Sequence, residues 1–127
     1  DWNRVGADGH PRPLHIQQAL DVTDYDLGPV RPRKSDPARS GWQSLVECDK
    51  FVLRSLESGE ATVGGLPKFQ IVTVPRGRVT LRLGEDAWTL AAGETLFVPA
   101  NWGPVTIAVD DDSTALAMGL PDDAASG

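Results

Sequence analysis

The chain has 127 residues, 40% of them hydrophobic and 24% charged, with a formal net charge of −6. This length suits one domain with a core and excludes a second domain of ordinary size, and the balance of apolar and charged residues excludes global disorder. Residues 45–127 hold twelve acidic against six basic side chains, which disfavours a nucleic-acid partner; without an apolar run of membrane-spanning length or a signal-peptide pattern, a soluble cytoplasmic protein with no membrane partner is expected.

The thirteen Gly and ten Pro residues favour an all-β chain rich in turns over a helical bundle. Residues 1–12, DWNRVGADGHPR, read as a loop, with turn chemistry at ADGHP. Pro13 to Leu20 reads as a short helix: Pro suits the first turn, and Ile16 and Leu20 stand four apart on one face. A helix of two turns needs tertiary packing to persist. Residues 22–27, VTDYDL, are a candidate short strand. Residues 28–41, with Pro29, Pro32 and Pro37 among Arg31, Arg33, Lys34 and Arg39, are a linker, and this basic run reads as a solvated segment rather than an anion site.

From Leu45 onward strand signals recur. LVECDKFVLRSLE (45–57) holds two short strands or one bulged strand. KFQIVTV (68–74) is rich in β-branched residues. In RVTLRLGEDAWTL (78–90), Val79, Leu81 and Leu83 alternate with Thr80 and Arg82, and Gly84-Glu85-Asp86 turns the chain into a hairpin. TLFVP (95–99), PVTIAV (104–109) and TALAMGL (114–120) complete the series. Asp110, Asp111 and Asp112 form a solvated turn, too closely spaced for a calcium loop. This run of short strands predicts a sandwich or barrel over residues 45–120, after a connecting segment over 1–44 and before a frayed tail over 121–127.

Gly77 in VPRG (74–77), followed some sixteen residues later by GETLFVP with Gly93 and Pro99, resembles the cupin family of jelly-roll barrels. The resemblance implies a metal site built from His-x-His and Glu in the first motif and His in the second. Counted from Gly77, the Glu position is Gln70, the two His positions fall near Gly64 to Leu66, and the second-motif His position is Pro104. No imidazole or carboxylate stands at any of them, so a barrel without its own metal is expected.

A second resemblance covers nearly the whole chain. DWNRVGADGHPRPLHIQQALDV (1–22), LVECDKFVLRSLE (45–57), FQIVTVPRGRVTL (69–81) and GETLFVPANWG (93–103) are similar in order to the C-terminal part of bacterial mannose-6-phosphate isomerases. The resemblance implies a zinc enzyme that interconverts mannose 6-phosphate and fructose 6-phosphate, with Gln, His and Glu ligands in a first barrel that would precede Asp1. This chain would then be the structural second barrel, with no catalytic residue and no cofactor of its own, and its partner would be the upstream catalytic barrel of the same protein. Arg4 matches an Arg near the family's active-site barrel, where a guanidinium suits a sugar phosphate; a surface Arg is the simpler reading. Trp2, Leu14, Ile16 and Leu20 are then expected to stand exposed, because their partners would lie upstream.

Other candidates read as structural. His10 and His15 are five apart, with no carboxylate cluster to complete a metal site. Cys48, the single cysteine, stands among apolar residues and is expected to be a buried, inert thiol. Trp88 shares core-facing parity with Leu90, and Trp102 is expected at the barrel edge, with a sugar contact as the alternative, as it also is for Trp2 and Trp42. Glu60 and Glu94 are too isolated in sequence to propose an acid/base pair. Two further functional classes stay open: a standalone metal-free cupin that binds a sugar or a partner protein, and a small metal-dependent cupin enzyme using His10, His15 and Gln70.

Overall fold

Nine strands and one short helix form among residues 4–122, which the computed structural model describes. Trp2 and residues 123–127 of the expected tail lie outside the described residues. The chain divides into two units, 1–32 and 33–127.

In the first unit, Val5 bridges Pro11 around the Gly9 turn, and Arg12 N–H donates to the Arg4 carbonyl (3.3 Å). Helix α1 spans Ile16–Asp21, shorter at its start than the sequence suggests. The predicted strand over 22–27 does not form. Thr23 Oγ1 donates back to the Ala19 carbonyl at 2.6 Å, and the Asp24 carboxylate accepts the Asp26 N–H at 3.0 Å. These local bonds hold turns and compete with extension.

The second unit contains β1 (Gln43–Glu47), β2 (Val52–Leu56), β3 (Glu60–Val63), β4 (Gln70–Arg76), β5 (Arg78–Leu83), β6 (Asp86–Ala91), β7 (Thr95–Val98), β8 (Val105–Val109) and β9 (Thr114–Gly119). They make two antiparallel sheets, one ordered β1-β2-β9-β4-β7 and the other β3-β8-β5-β6. Val72, Val74, Leu56 and Val98 of the first sheet meet Val63, Val79, Leu81, Val105 and Ile107 of the second in an aliphatic core. Period-two alternation drives this: Val79 and Leu81 are buried, while Arg78 and Arg82 on either side of them are exposed and Thr80 between them is half-buried. The β5–β6 hairpin turns on two residues, since Leu83 already pairs with Asp86. Gly84, at φ 61°, supplies the positive φ such a short loop needs.

The segment 45–57 is both a hairpin and bulged: β1 and β2 pair, with the register slipping between Ser44 and Val46. Cys48 therefore lies in the β1–β2 turn and is exposed, against the expectation of a buried thiol. Its apolar neighbours in sequence flank a turn and do not surround it. Strand β9 buries its small residues, Ala115 and Ala117, and turns Leu116 and Met118 to the other face. Pairing with Val72 of β4 fixes that parity. Part of the predicted linker is also anchored. Gln43, itself buried, accepts from Asp36 N–H at 2.9 Å and donates to the Asp36 and Arg39 carbonyls. Ser35 donates to the Glu57 carboxylate.

Candidate functional site

Two loops meet at one end of the barrel. The first, residues 64–69, joins β3 to β4; the second, residues 99–104, joins β7 to β8. Gly65 N–H donates to the Trp102 carbonyl at 2.7 Å, and Asn101 N–H to the Leu66 carbonyl at 2.6 Å. Gln70, first residue of β4, accepts the Gly64 N–H on Oε1 at 2.7 Å. A β-carbon placed on Gly65 would lie in ordinary contact with Pro104. Gly64 to Leu66, Gln70 and Pro104, the positions where the cupin resemblance puts ligands, therefore do converge.

What converges there does not suit a metal. The side chains supply one amide oxygen, and the Gly64 N–H already occupies it. Imidazole nitrogens and carboxylates, the donors such sites use, are missing from the set. Gly64 has φ 79°, and a β-carbon on it would collide with the Trp102 carbonyl. A histidine cannot stand at 64 without moving the second loop. Among the described residues, no group of three or more His, Cys, Asp or Glu side chains lies close enough to hold a metal ion.

Beside Gln70 the barrel mouth opens into a cleft of ≈ 470 Å³. Register explains its lining. Val52, Gly119 and Gln70 stand in one row of the five-stranded sheet, and Arg54 and Ala117 in the next, on the face that carries the core. Glu47 and Lys68 complete the polar rim, with Lys68 Nζ donating to the Pro121 carbonyl at 2.5 Å. The floor is apolar and the rim carries both signs of charge, a surface suited to a small polar ligand with several hydroxyls. Sequence reasoning missed Arg54 and Glu47 as site residues. The signal was present: Arg54 has the parity of Val52 and Leu56, so a charged side chain stands on the inward face.

The remaining candidates have structural surroundings. Arg4 is exposed at the base of the Val5–Pro11 bridge. His10 bonds within its own turn, to Asp8 and to the Gly6 N–H, and exposed His15 is the N-cap residue of α1 but makes no side-chain capping bond. Trp88 and Trp102 pack against the core with ring centroids 6.1 Å apart. Trp42 Nε1 donates to the Thr62 carbonyl at 2.9 Å. Glu94 accepts the Ala91 N–H at 2.6 Å within its turn, and Glu60 pairs with Arg82 at 3.7 Å on the surface. No helix among the described residues is long and apolar enough to cross a membrane.

Comparison with solved structures places the fold. The chain is similar to the mannose 6-phosphate isomerase from Bacillus subtilis, with 23% identity and a TM-score of 0.66 over 93% of this chain and 38% of that one. It is also similar to an RmlC-like cupin protein from Desulfovibrio desulfuricans (19% identity, TM-score 0.55, 78% of this chain and 95% of that one). A cupin 2 conserved barrel domain protein from Leptotrichia buccalis matches at 18% identity and a TM-score of 0.54, over 68% of this chain and 43% of that one. The chain thus spans 38% of the length of the isomerase it resembles. No protein-family model matches the sequence, and no curated protein matches it. The architecture is an all-β cupin barrel.

Proposed function

We propose that this chain is the C-terminal cupin part of a mannose-6-phosphate isomerase-like enzyme, whose zinc and catalytic residues belong to a barrel on the preceding part of the same polypeptide. Its own role is structural: it packs against that barrel and completes the enzyme. One observation carries the reading. The match to the isomerase reaches 93% of the chain, whereas residues 33–127, the barrel unit, are only 95 of the 127 residues. Similarity to the isomerase therefore reaches well into the first 32 residues, further than the 78% of the chain that the RmlC-like cupin protein matches.

Exposure in that segment supports the same reading. Leu14, Ile16 and Leu20 are 62%, 61% and 47% exposed. A six-residue helix does not persist on propensity alone, so its apolar face needs a surface to pack on. Arg4, in the same segment, is the residue we assign to contact the substrate phosphate. Reading the coding sequence that precedes the Asp1 codon tests the proposal. An open frame encoding a barrel with Gln, His and Glu ligands is expected; a start codon directly before Asp1 overturns it.

The cleft favours a second reading, a metal-free cupin that binds a sugar. Arg54, Gln70 and Glu47 around an apolar floor supply donors and acceptors for hydroxyl groups. Calorimetric titration of the isolated chain with mannose 6-phosphate separates the two: saturable binding lost in Arg54→Ala supports the sugar-binding cupin.

A further inference from the structure

Gly119 is a glycine that its backbone does not require. It ends β9, paired with Val52 on one side and Gln70 on the other, and its φ is not positive. A β-carbon on it would make only ordinary contacts, 3.5 Å from the Phe69 carbonyl oxygen and 3.6 Å from Gln70 Cγ. The missing side chain hollows the inward row at this point, and Gly119 lines the cleft of ≈ 470 Å³.

Two donors line the same cleft without partners. Gln70 Oε1 takes the Gly64 N–H, which orients the amide and leaves Nε2 without a partner among the described residues. Arg54 makes no hydrogen bond or ion pair among the described residues. Glu47, paired with Val52 in register, stands near it without neutralising it. A guanidinium on the inward face of a sheet, with no counter-ion, offers its fork to a planar oxyanion.

We infer that the cleft takes a sugar acid, a small polyhydroxylated carboxylate whose charged group pairs with Arg54. This rests on the sugar-binding reading of the cleft and names the class of sugar; it is independent of the isomerase reading. Gln70 Nε2 and Glu47 then serve as donor and acceptor for hydroxyls, and Val52, Leu66 and Ala117 cover the ligand's C–H face. Charge selects the carboxylate over a phosphate. Arg54 and Lys68 share the cleft with Glu47 and Asp122, so its formal charges cancel, in a chain of net charge −6. A monoanion gains the Arg54 pair, whereas a dianionic phosphate brings a second negative charge toward both carboxylates. A neutral sugar leaves Arg54 unpaired.

Calorimetric titration of the polypeptide as its gene encodes it, with D-glucuronate, D-glucose and D-glucose 6-phosphate, tests this, because the three differ only at carbon 6. D-gluconate is the open-chain arm. One of the two acids is expected to saturate a single site at least about tenfold more tightly than the neutral sugar and the phosphate. Arg54→Gln should weaken that binding by about tenfold or more, Arg54→Lys by less, and Gly119→Leu, which fills the hollow, should abolish it. Circular dichroism should be unchanged throughout; Arg54 is exposed, so its variants decide the matter if Gly119→Leu misfolds. Binding of D-glucose as tight as that of the acids, or tighter binding of the phosphate, overturns the inference and leaves the sugar-binding reading standing. Acid binding untouched by Arg54→Gln overturns it too, since the ligand then lies elsewhere. No binding by any of these compounds overturns both.

Discussion

The carbonyl oxygen of Trp102 stands where a β-carbon of residue 64 would have to be. Glycine, at φ 79°, is what lets the two loops close, and Gly65 N–H seals the contact on the same carbonyl at 2.7 Å. The loops where the cupin resemblance puts ligands here hold each other. Their mutual bonds close the barrel end.

Gly64→Ala should therefore destabilise the barrel by about 2–4 kcal/mol, from positive φ and steric overlap together. Gly64→His should cost at least as much and should bind no stoichiometric zinc. Urea unfolding and metal analysis measure both. A stable Gly64→His protein holding zinc would mean that the loops open readily and the metal frame is latent.

Ser113 makes a second such closure. It is buried, accepts the Arg78 N–H at 2.9 Å and donates to the Asp111 carbonyl at 3.3 Å, fixing the turn over Asp110–Asp112. It also fills the space beside Gly77, where a β-carbon would collide with it. Ser113→Ala leaves the part-buried Arg78 N–H without its acceptor and should cost about 1–2 kcal/mol. A loss near zero would show that water replaces the hydroxyl.

Ser55 presents the reverse case. Its hydroxyl is buried and has no hydrogen-bond partner among the described residues. Ser55→Ala should be neutral or stabilising by up to about 1 kcal/mol, since an unsatisfied buried hydroxyl opposes folding. Gln43→Ala, which removes the side-chain bonds to Asp36 and Arg39, should cost about 2 kcal/mol in the same urea assay. A clear loss in Ser55→Ala would place a partner on that hydroxyl.

Cys48 is exposed in the β1–β2 turn, its sulfur 3.5 Å from the Phe51 carbonyl. The native protein should titrate one thiol with an aromatic disulfide reagent, at a rate close to that in denaturant. Protection by orders of magnitude would contradict the turn placement.

Much of the fold was legible in local pattern. Val79, Leu81 and Leu83 announced β5, and Gly84 announced its turn. Strand β3 was not visible: Glu60–Val63 offers only Ala61 and Val63 as apolar residues between Gly59 and Gly64. Its strand character comes from pairing with β8, which is distant in sequence. The inward parity of Ala115 and Ala117 was hidden for the same reason, because bulk pointed to Leu116 and Met118. The ligand-position frame could be counted from Gly77 and Gly93, but its closure by backbone packing could not. The apolar row of Val46, Leu53, Met118, Ile71 and Phe97 across the five-stranded sheet is the extreme case. Its five residues come from five strands, and only their register makes them neighbours.

The most direct test of the proposed function is isomerase activity in the complete polypeptide that contains this chain. Conversion of mannose 6-phosphate to fructose 6-phosphate should require zinc, and should be lost both in residues 1–127 alone and in the polypeptide without them. Absence of conversion in the zinc-loaded complete polypeptide would contradict the account. So would a complete polypeptide that ends up being no more than this one barrel.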